Sequence, residues 1–239
     1  MLHPSALSYL LHLVILVLSC LIMFCGCVRA LSSSGSGSTT GRTYDVLVVG
    51  GGSAGLTAAK FAGDTMKKSV LIIEKEKLGG DCTWTGCVPS KSMIASAKAA
   101  MATRRMLISG NKAPSATGYA VNFRNVKERY KSNQQLIYEE DDSPDALAKF
   151  GVETTTGKAR LVSTDTINIS HEEKTFDVKA KEGIILCTGA APKVPTIPGL
   201  ESVDYVTYEK VWDLDELPKK LTVVGGGPVS WRRDQHIIR

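Results

Sequence analysis

The chain has little aromatic material, 6% of its 239 residues, and its six cysteines are too sparse for a disulfide-stapled secreted scaffold. Three of them, Cys20, Cys25 and Cys27, lie in an apolar N-terminal run, which leaves Cys82, Cys87 and Cys187 for the folded body. Cys82 and Cys87 are spaced C-x4-C rather than C-x2-C, and no second Cys/His pair follows, so structural zinc is excluded and no metal site is assigned. Strong charge of one sign is also missing. The formal net charge is +5, but Arg29 and Arg42 stand in a stretch without a single acid, Met1 to Thr43, and setting those two aside leaves +3 for the remainder. No aromatic-basic stripe accompanies the lysines and arginines, which are interleaved with Asp and Glu, so nucleic acid is excluded as a partner. What the chain has is 43% hydrophobic and 22% charged residues, enough to pack one or two domains.

Leu7–Val28 is a 22-residue run without formal charge, broken only by Ser8, Tyr9, His12, Ser19 and Gly26, and it is long enough to span a bilayer. Val28-Arg29-Ala30 offers small or medium residues where a signal peptidase reads, so residues 1–30 are expected to be a cleaved signal peptide, with a membrane anchor as the alternative. Residues 31–43, rich in Ser, Gly and Thr, read as a linker. Run and linker together are also similar to the two-part presequences of plastid proteins. The expected location is therefore the secretory pathway or a membrane, or else a plastid. Asn168-Ile169-Ser170 is a glycosylation acceptor triplet that would suit luminal exposure.

Tyr44–Gly55, Y-D-V-L-V-V-G-G-G-S-A-G, is an apolar strand followed by glycines and then by helix formers through Phe61. Gly50, Gly52 and Gly55 fill G-x-G-x-x-G. The first permits a tight turn, the second lets backbone approach a pyrophosphate, and the third lets helix pack on strand, with the helix N-terminus facing the phosphates. A second apolar strand, Ser69–Ile73, ends at Glu74, 19 residues after Gly55, where an acid can accept the ribose hydroxyls of an adenosine. The competing reading is a glycine-rich turn without a ligand.

Next comes G-G-D-C-T-W-T-G-C-V-P-S-K, Gly79 to Lys91. In a regular helix, Cα atoms five residues apart stand about 8.6 Å from each other, beyond the roughly 7 Å that a disulfide tolerates. If Cys82 and Cys87 pair, the helix start must be distorted, and Gly86 is the residue that permits it. Such a disulfide would be reducible and suited to exchange. The alternative is two buried unpaired thiols.

Gly79–Lys91 resembles the redox-active disulfide signature of the class I pyridine nucleotide-disulfide oxidoreductases, the group of glutathione reductase, dihydrolipoyl dehydrogenase and mercuric reductase, and most closely the mercuric-reductase-like branch. The resemblance implies an α/β fold: an incomplete Rossmann-like FAD-binding domain over residues 44–220, then the start of an NAD(P)-binding Rossmann unit over 221–239. It implies FAD at the first glycine motif and NAD(P)H as electron donor. By position, Cys82 would be the interchange thiol that meets a disulfide or metal acceptor, and Cys87 the thiol against the flavin. Lys91 would sit near the flavin's reactive nitrogen, favouring the reduced anionic ring. The cofactor-binding set it implies is Gly50, Gly52, Ser53, Ala54, Gly55, Glu74, Lys75, Gly80, Lys91, Gly157, Ala159, Thr188 and Gly189. Gly157 matches the position whose backbone passes the adenine. Gly183–Pro198 resembles the family's second flavin motif, with Cys187 as a small buried residue in place of alanine.

Between these motifs, Lys91–Met106 and Val126–Glu139 read as helices around a Lys112–Gly118 loop, an α-hairpin. Glu139–Asp142 reads as a solvated helix end, and Ser143-Pro144 as N-cap and N1 of a short helix closing at Gly151. Leu221–Ser230 begins a second strand and glycine turn, with Ser230 in place of the third glycine. The family would continue into a dimerisation domain that carries a catalytic histidine for its partner subunit, whereas here W-R-R-D-Q-H-I-I-R follows, and His236 matches no family motif. The resemblance is thus to a C-terminally truncated member. Two other readings stand beside the reductase: a non-catalytic flavin-binding fragment, and a membrane-tethered thiol exchanger using Cys82 and Cys87 alone.

Overall fold

The computed structural model describes residues 41–108, 121–227 and 229. The expected Leu7–Val28 span and the Lys112–Gly118 loop lie outside the described residues. Among the described residues no helix is long and apolar enough to cross a membrane. The chain divides into two compact units.

The first unit takes the described residues through Glu76 and returns for Phe150–Thr188. Its strands are β1 (Thr43–Val49), β2 (Val70–Glu74), β3 (Val152–Thr156), β4 (Lys158–Leu161), β5 (Thr166–His171) and β6 (Lys174–Leu186), in one sheet ordered β3-β2-β1-β6-β5-β4. β1 pairs in parallel with β2 and β6, and β2 with β3. The unbroken apolar runs V-L-V-V and V-L-I-I suit strands buried on both faces. β6 is long because it serves two partners. Its first half forms an antiparallel hairpin with β5, whereas Gly183–Leu186 runs parallel to β1.

Side chains alternate across this sheet except at an irregularity between Tyr44 and Val46, which lets Tyr44 join Leu47 in one cluster. On one face Tyr44, Leu47, Leu71, Ile73, Ile167, Ile169, Val178 and Ala180 form a buried core. The opposite face carries Val48, against which Gly55 of α1 (Ser53–Lys60) packs. α1 continues into a π-helical turn, Phe61–Thr65. Asn168 stands opposite Asp177 in the β5–β6 pair and donates its Nδ2–H to Asp177 Oδ1 at 2.6 Å. The acceptor triplet therefore lies in a paired strand, with its amide engaged, rather than in an open loop.

The second unit comprises Lys77–Lys149 and residues from Gly189 onward. It holds α2 (Gly80–Trp84), α3 (Cys87–Ile108), α4 (Phe123–Ile137) with a π-helical turn at Tyr138–Asp142, and α5 (Pro144–Ala148). Ser143 caps α5 as its spacing predicts, accepting from the Ala146 N–H with Pro144 at the first position, and Gly151 beyond it has φ +73°. Asn133 of α4 donates to Ser92 of α3 at 2.8 Å. A one-turn 3₁₀ helix, Val211–Asp213, places Trp212 edge-on to Tyr130 of α4, with ring centroids 5.8 Å apart.

The strand expected at Leu221–Val224 is not formed; these residues are irregular and Val224 is 64% exposed. A parallel strand holds only between neighbours that share its hydrogen bonds, and no described residue pairs with this segment.

Candidate functional site

The glycine turn is built where β1 ends. Gly50 takes φ +101°, a conformation that side chains rarely adopt, and its N–H donates to Ile73 O at 2.9 Å. A Cβ at Gly50 would overlap the carbonyl oxygen of Cys187, and one at Gly55 would overlap that of Gly50. Backbone thus fills the space side chains would need, which explains both glycines and lets α1 start tight against β1. Gly52 precedes α1 in extended conformation, and its carbonyl accepts the Leu56 N–H at 2.9 Å. Ser53 and Ala54, in the first turn of α1, are exposed.

Glu74, at the end of β2, reaches this turn. Its Oε2 accepts the Gly51 N–H at 2.6 Å and its Oε1 the Glu76 N–H at 2.9 Å. Its backbone carbonyl accepts the Gly157 N–H at 2.8 Å. Gly157 is confined: a Cβ there would stand 2.6 Å from Ile169 Cγ2. Ala159, on β4, packs half-buried against the core. Lys75 is exposed and pairs with Glu76 at 3.3 Å. At the end of β6 the Cys187 N–H donates to Val49 O at 2.7 Å. Cys187 is half-buried rather than fully buried, and Thr188 follows exposed. An exposed helix start with a carboxylate fixed beside its glycines is a set of donors and acceptors that fits the phosphates and ribose of a dinucleotide.

The cysteines belong to the second unit. Gly79 and Gly80, with φ +105° and +55°, turn the chain into α2, which carries Cys82. α2 stops at Thr85 (φ −131°, ψ 0°), and α3 begins at Cys87. The two cysteines are not bonded to each other in this structure, but the distortion that a Cys82–Cys87 disulfide would need is present as a break between two helices. Gly86 permits it by close approach rather than by left-handed φ. A Cβ on Gly86 would meet Asp81 O at 2.7 Å, with Cys82 Cα at 3.5 Å, so the chain between the helices passes too close to α2 for a side chain. Both cysteines are partly exposed, within reach of a reactant. Lys91 lies four residues after Cys87 on α3, one turn on along the same face, and is exposed. Gly80 opens α2, and Gly189 (φ +67°) starts the returning segment of this unit.

Thr83, Trp84 and Thr85, between the cysteines, are each held by a partner that spacing alone did not identify. Thr83 donates to Asp142 Oδ2 at 2.6 Å, with both groups buried. Glu139, Glu140 and Asp141 are exposed, but Asp142 is not the solvated helix end that its acidic neighbours suggested. Trp84 donates its indole N–H to Leu78 O at 2.7 Å, and its carbonyl accepts from Gln134. Its ring lies 3.3 Å from the Lys77 ammonium, which also sits 4.9 Å from the Tyr138 ring, and burial there lowers the Lys77 pKa. Thr85 O accepts the Trp212 Nε1–H at 2.7 Å. Trp84 stands inside the cysteine signature itself, a large side chain that a short exposed loop would not need.

Comparison with known proteins matches residues 44–231 to the family model described as pyridine nucleotide-disulphide oxidoreductase. Mercuric reductase of Streptomyces lividans is 31% identical over 201 residues, covering 82% of this chain and 40% of the relative. Dihydrolipoyl dehydrogenase of Bacillus subtilis (strain 168) is 30% identical over 200 residues, 78% of this chain and 40% of the relative. Mercuric reductase of Staphylococcus aureus is 28% identical, with 78% and 32% covered. The chain thus spans 32% to 40% of the length of these three relatives. Among solved structures, the Cu(II) complex of the HOCl-induced flavoprotein disulfide reductase RclA from Escherichia coli shares the fold. Its TM-score is 0.67 at 22% identity, covering 82% of this chain and 40% of that one.

Proposed function

The chain belongs to the pyridine nucleotide-disulphide oxidoreductase family, and from that premise we propose that it is the FAD-binding, dithiol-bearing portion of an NAD(P)H-linked disulfide oxidoreductase. The family's members use FAD, with NAD(P)H as electron donor. When bound, FAD supplies a two-electron relay between a nicotinamide and a dithiol. The glycine turn fits such a group because its backbone leaves the N–H groups at the start of α1 exposed. Gly50, Gly52, Ser53, Ala54 and Gly55 would hold the diphosphate, and Glu74 the adenosine ribose. Gly157 and Ala159, with Lys75, Gly80, Thr188 and Gly189, complete the proposed binding set.

Cys82 and Cys87 carry the exchange. In the reduced pair, the Cys82 thiolate attacks one sulfur of an acceptor disulfide, which forms a mixed disulfide and expels the first acceptor thiolate. The Cys87 thiolate then attacks Cys82 Sγ, closing the Cys82–Cys87 disulfide and releasing the second thiolate, so that two electrons have passed to the acceptor. A soft metal ion held by the two thiolates is the alternative acceptor. Lys91 contributes positive charge beside the pair. The observation that supports this reading most directly is the helix break at Thr85–Gly86, where Gly86 lies close to Asp81 and Cys82 just before Cys87 opens α3.

The test is a visible absorption spectrum of the full purified chain before and after dithionite. A flavin spectrum near one FAD per chain that bleaches on reduction is expected. A folded protein that stays colourless when incubated with FAD would overturn the assignment. We propose delivery to the secretory pathway, a membrane or a plastid through Leu7–Val28, which protease protection of the chain in isolated organelles would check.

A further inference from the structure

The returning segment of the second unit binds back onto the cysteine loop at two points. Trp212 donates its indole N–H to Thr85 O at 2.7 Å, and Tyr208 donates its hydroxyl to Asp81 Oδ2 at 3.1 Å. Thr85 is the residue at which α2 ends. Its N–H is committed to Asp81 O at 2.9 Å, and its hydroxyl stands 3.1 Å from Asp81 Oδ1. Its carbonyl is half-buried, and the residue four further on is Pro89, which has no N–H to donate, so the donor must come from elsewhere. Trp212 is that donor and is 7% exposed.

Trp212 is itself fixed. The Tyr130 hydroxyl donates to Trp212 O at 2.7 Å, and the two rings meet edge-on. Lys127, one turn earlier on α4, donates to the carbonyls of Asp213 and Leu214 at 3.1 and 3.0 Å and to the Asp215 carboxylate at 2.9 Å. A chain of hydrogen bonds therefore runs from α4 through Trp212 to Thr85, in the break between the helix that carries Cys82 and the helix that Cys87 opens. From this we infer that Trp212 is a positioning residue for the dithiol, holding the Thr85–Gly86 break in the geometry from which Cys82 and Cys87 close their disulfide. The inference rests on the proposed redox role of those cysteines.

The bond has a direction of effect. On this inference, holding Thr85 raises the effective concentration of each thiol for the other, which favours the disulfide. With the indole donor removed, the Thr85 peptide samples other orientations, and the disulfide becomes easier to reduce.

The experiment uses the full chain equilibrated in glutathione buffers of graded ratio. The reaction read is disulfide plus two glutathione giving dithiol plus glutathione disulfide, quenched by alkylation. Trypsin releases Leu78–Lys91 as one peptide carrying both cysteines, so its mass reports their state without interference from the other four. For Trp212→Phe, which keeps a ring but loses the donor, the equilibrium constant for oxidation is expected to fall about tenfold, or ~30 mV. Tyr130→Phe, which loosens Trp212 but leaves its N–H, is expected to move it in the same direction by a smaller factor. An unchanged or more stable disulfide in folded Trp212→Phe overturns the inference. Should that variant fail to fold, an unshifted couple in Tyr130→Phe overturns it instead. Thermal unfolding of the reduced proteins serves as the control, since a merely structural role would lower Tm without moving the couple. Absence of any reversible Cys82–Cys87 disulfide in the unsubstituted chain would instead defeat the proposed function on which the inference stands.

Discussion

Gly86 is the residue on which the cysteine geometry turns. An added methyl at this position would overlap Asp81 O at 2.7 Å, so the backbone at the break between α2 and α3 must shift. Gly86→Ala is expected to destabilise the chain by about 1–3 kcal/mol, the usual range for overpacking. It should also abolish the Cys82–Cys87 disulfide in peptide Leu78–Lys91, read by mass after oxidation. Glu74 decides the other half of the chemistry. Its carboxylate is already anchored by the Gly51 and Glu76 N–H groups, so it is presented to a ligand without further ordering. Glu74→Ala is expected to weaken FAD retention by about 1.5–3 kcal/mol, the worth of a hydrogen bond to a charged group. Equilibrium dialysis against FAD measures it.

At the scale of the element, the three central strands are tied at one end by Asp45. This carboxylate accepts the Ser69 N–H at 2.9 Å and the Ser69 hydroxyl at 2.8 Å, just before β2, and pairs with Lys181 of β6 at 3.1 Å. The Ser69 N–H, then its hydroxyl, then Lys181 pull the Asp45 pKa down from 3.8 to about 2. A depressed pKa stabilises the folded chain fully above the unfolded value and is lost as pH falls through the folded one. Stability should therefore decline from about pH 4 towards pH 2 as the unfolded chain takes up a proton that the folded chain refuses. Asp45→Asn is expected to flatten that limb in urea titrations run at successive pH values. Asp165, drawn to about 2 by Ser163, Lys179 and Thr166, leaves a residual slope in the variant.

At the scale of the whole molecule, a ligand that binds the folded chain and not the unfolded one must raise its melting temperature. FAD at a hundred times its Kd is expected to add about 2.7 kcal/mol. A thermal melt of the full chain with and without FAD checks this, and the gain should shrink in Glu74→Ala. An FAD-independent Tm would mean that the glycine turn holds no dinucleotide.

Local patterns carried much of this in advance. The apolar runs of β1 and β2, the glycines between them and Glu74 at the strand end mark the turn because each depends on near neighbours or on strand period. The cap and stop of α5, Ser143-Pro144 and Gly151, are equally local. The C-x4-C spacing required a distorted helix start if the two cysteines pair, and the chain breaks at Thr85. Long-range partnership was not legible. Asp142 stands among exposed acids yet is buried on Thr83, and the hydrogen bond from Trp212 joins residues 127 positions apart. Leu221–Val224 shows the converse, a segment with strand composition that forms no strand because strand pairing is supplied by neighbours and not by the segment.

What the sequence by itself determined is therefore which groups are present: a glycine turn with an acid at the next strand end, and two thiols five residues apart with a lysine one turn on. Spacing along a chain dictates which groups share a turn, a strand face or a helix face, because backbone periods are short-ranged. What only the tertiary structure decided is how those groups are held. The fixing of Glu74 on the Gly51 N–H, the seating of Trp84 under Lys77 and the tie from Trp212 to Thr85 arise when distant segments pack and their buried polar groups must find partners, a condition that no local pattern encodes.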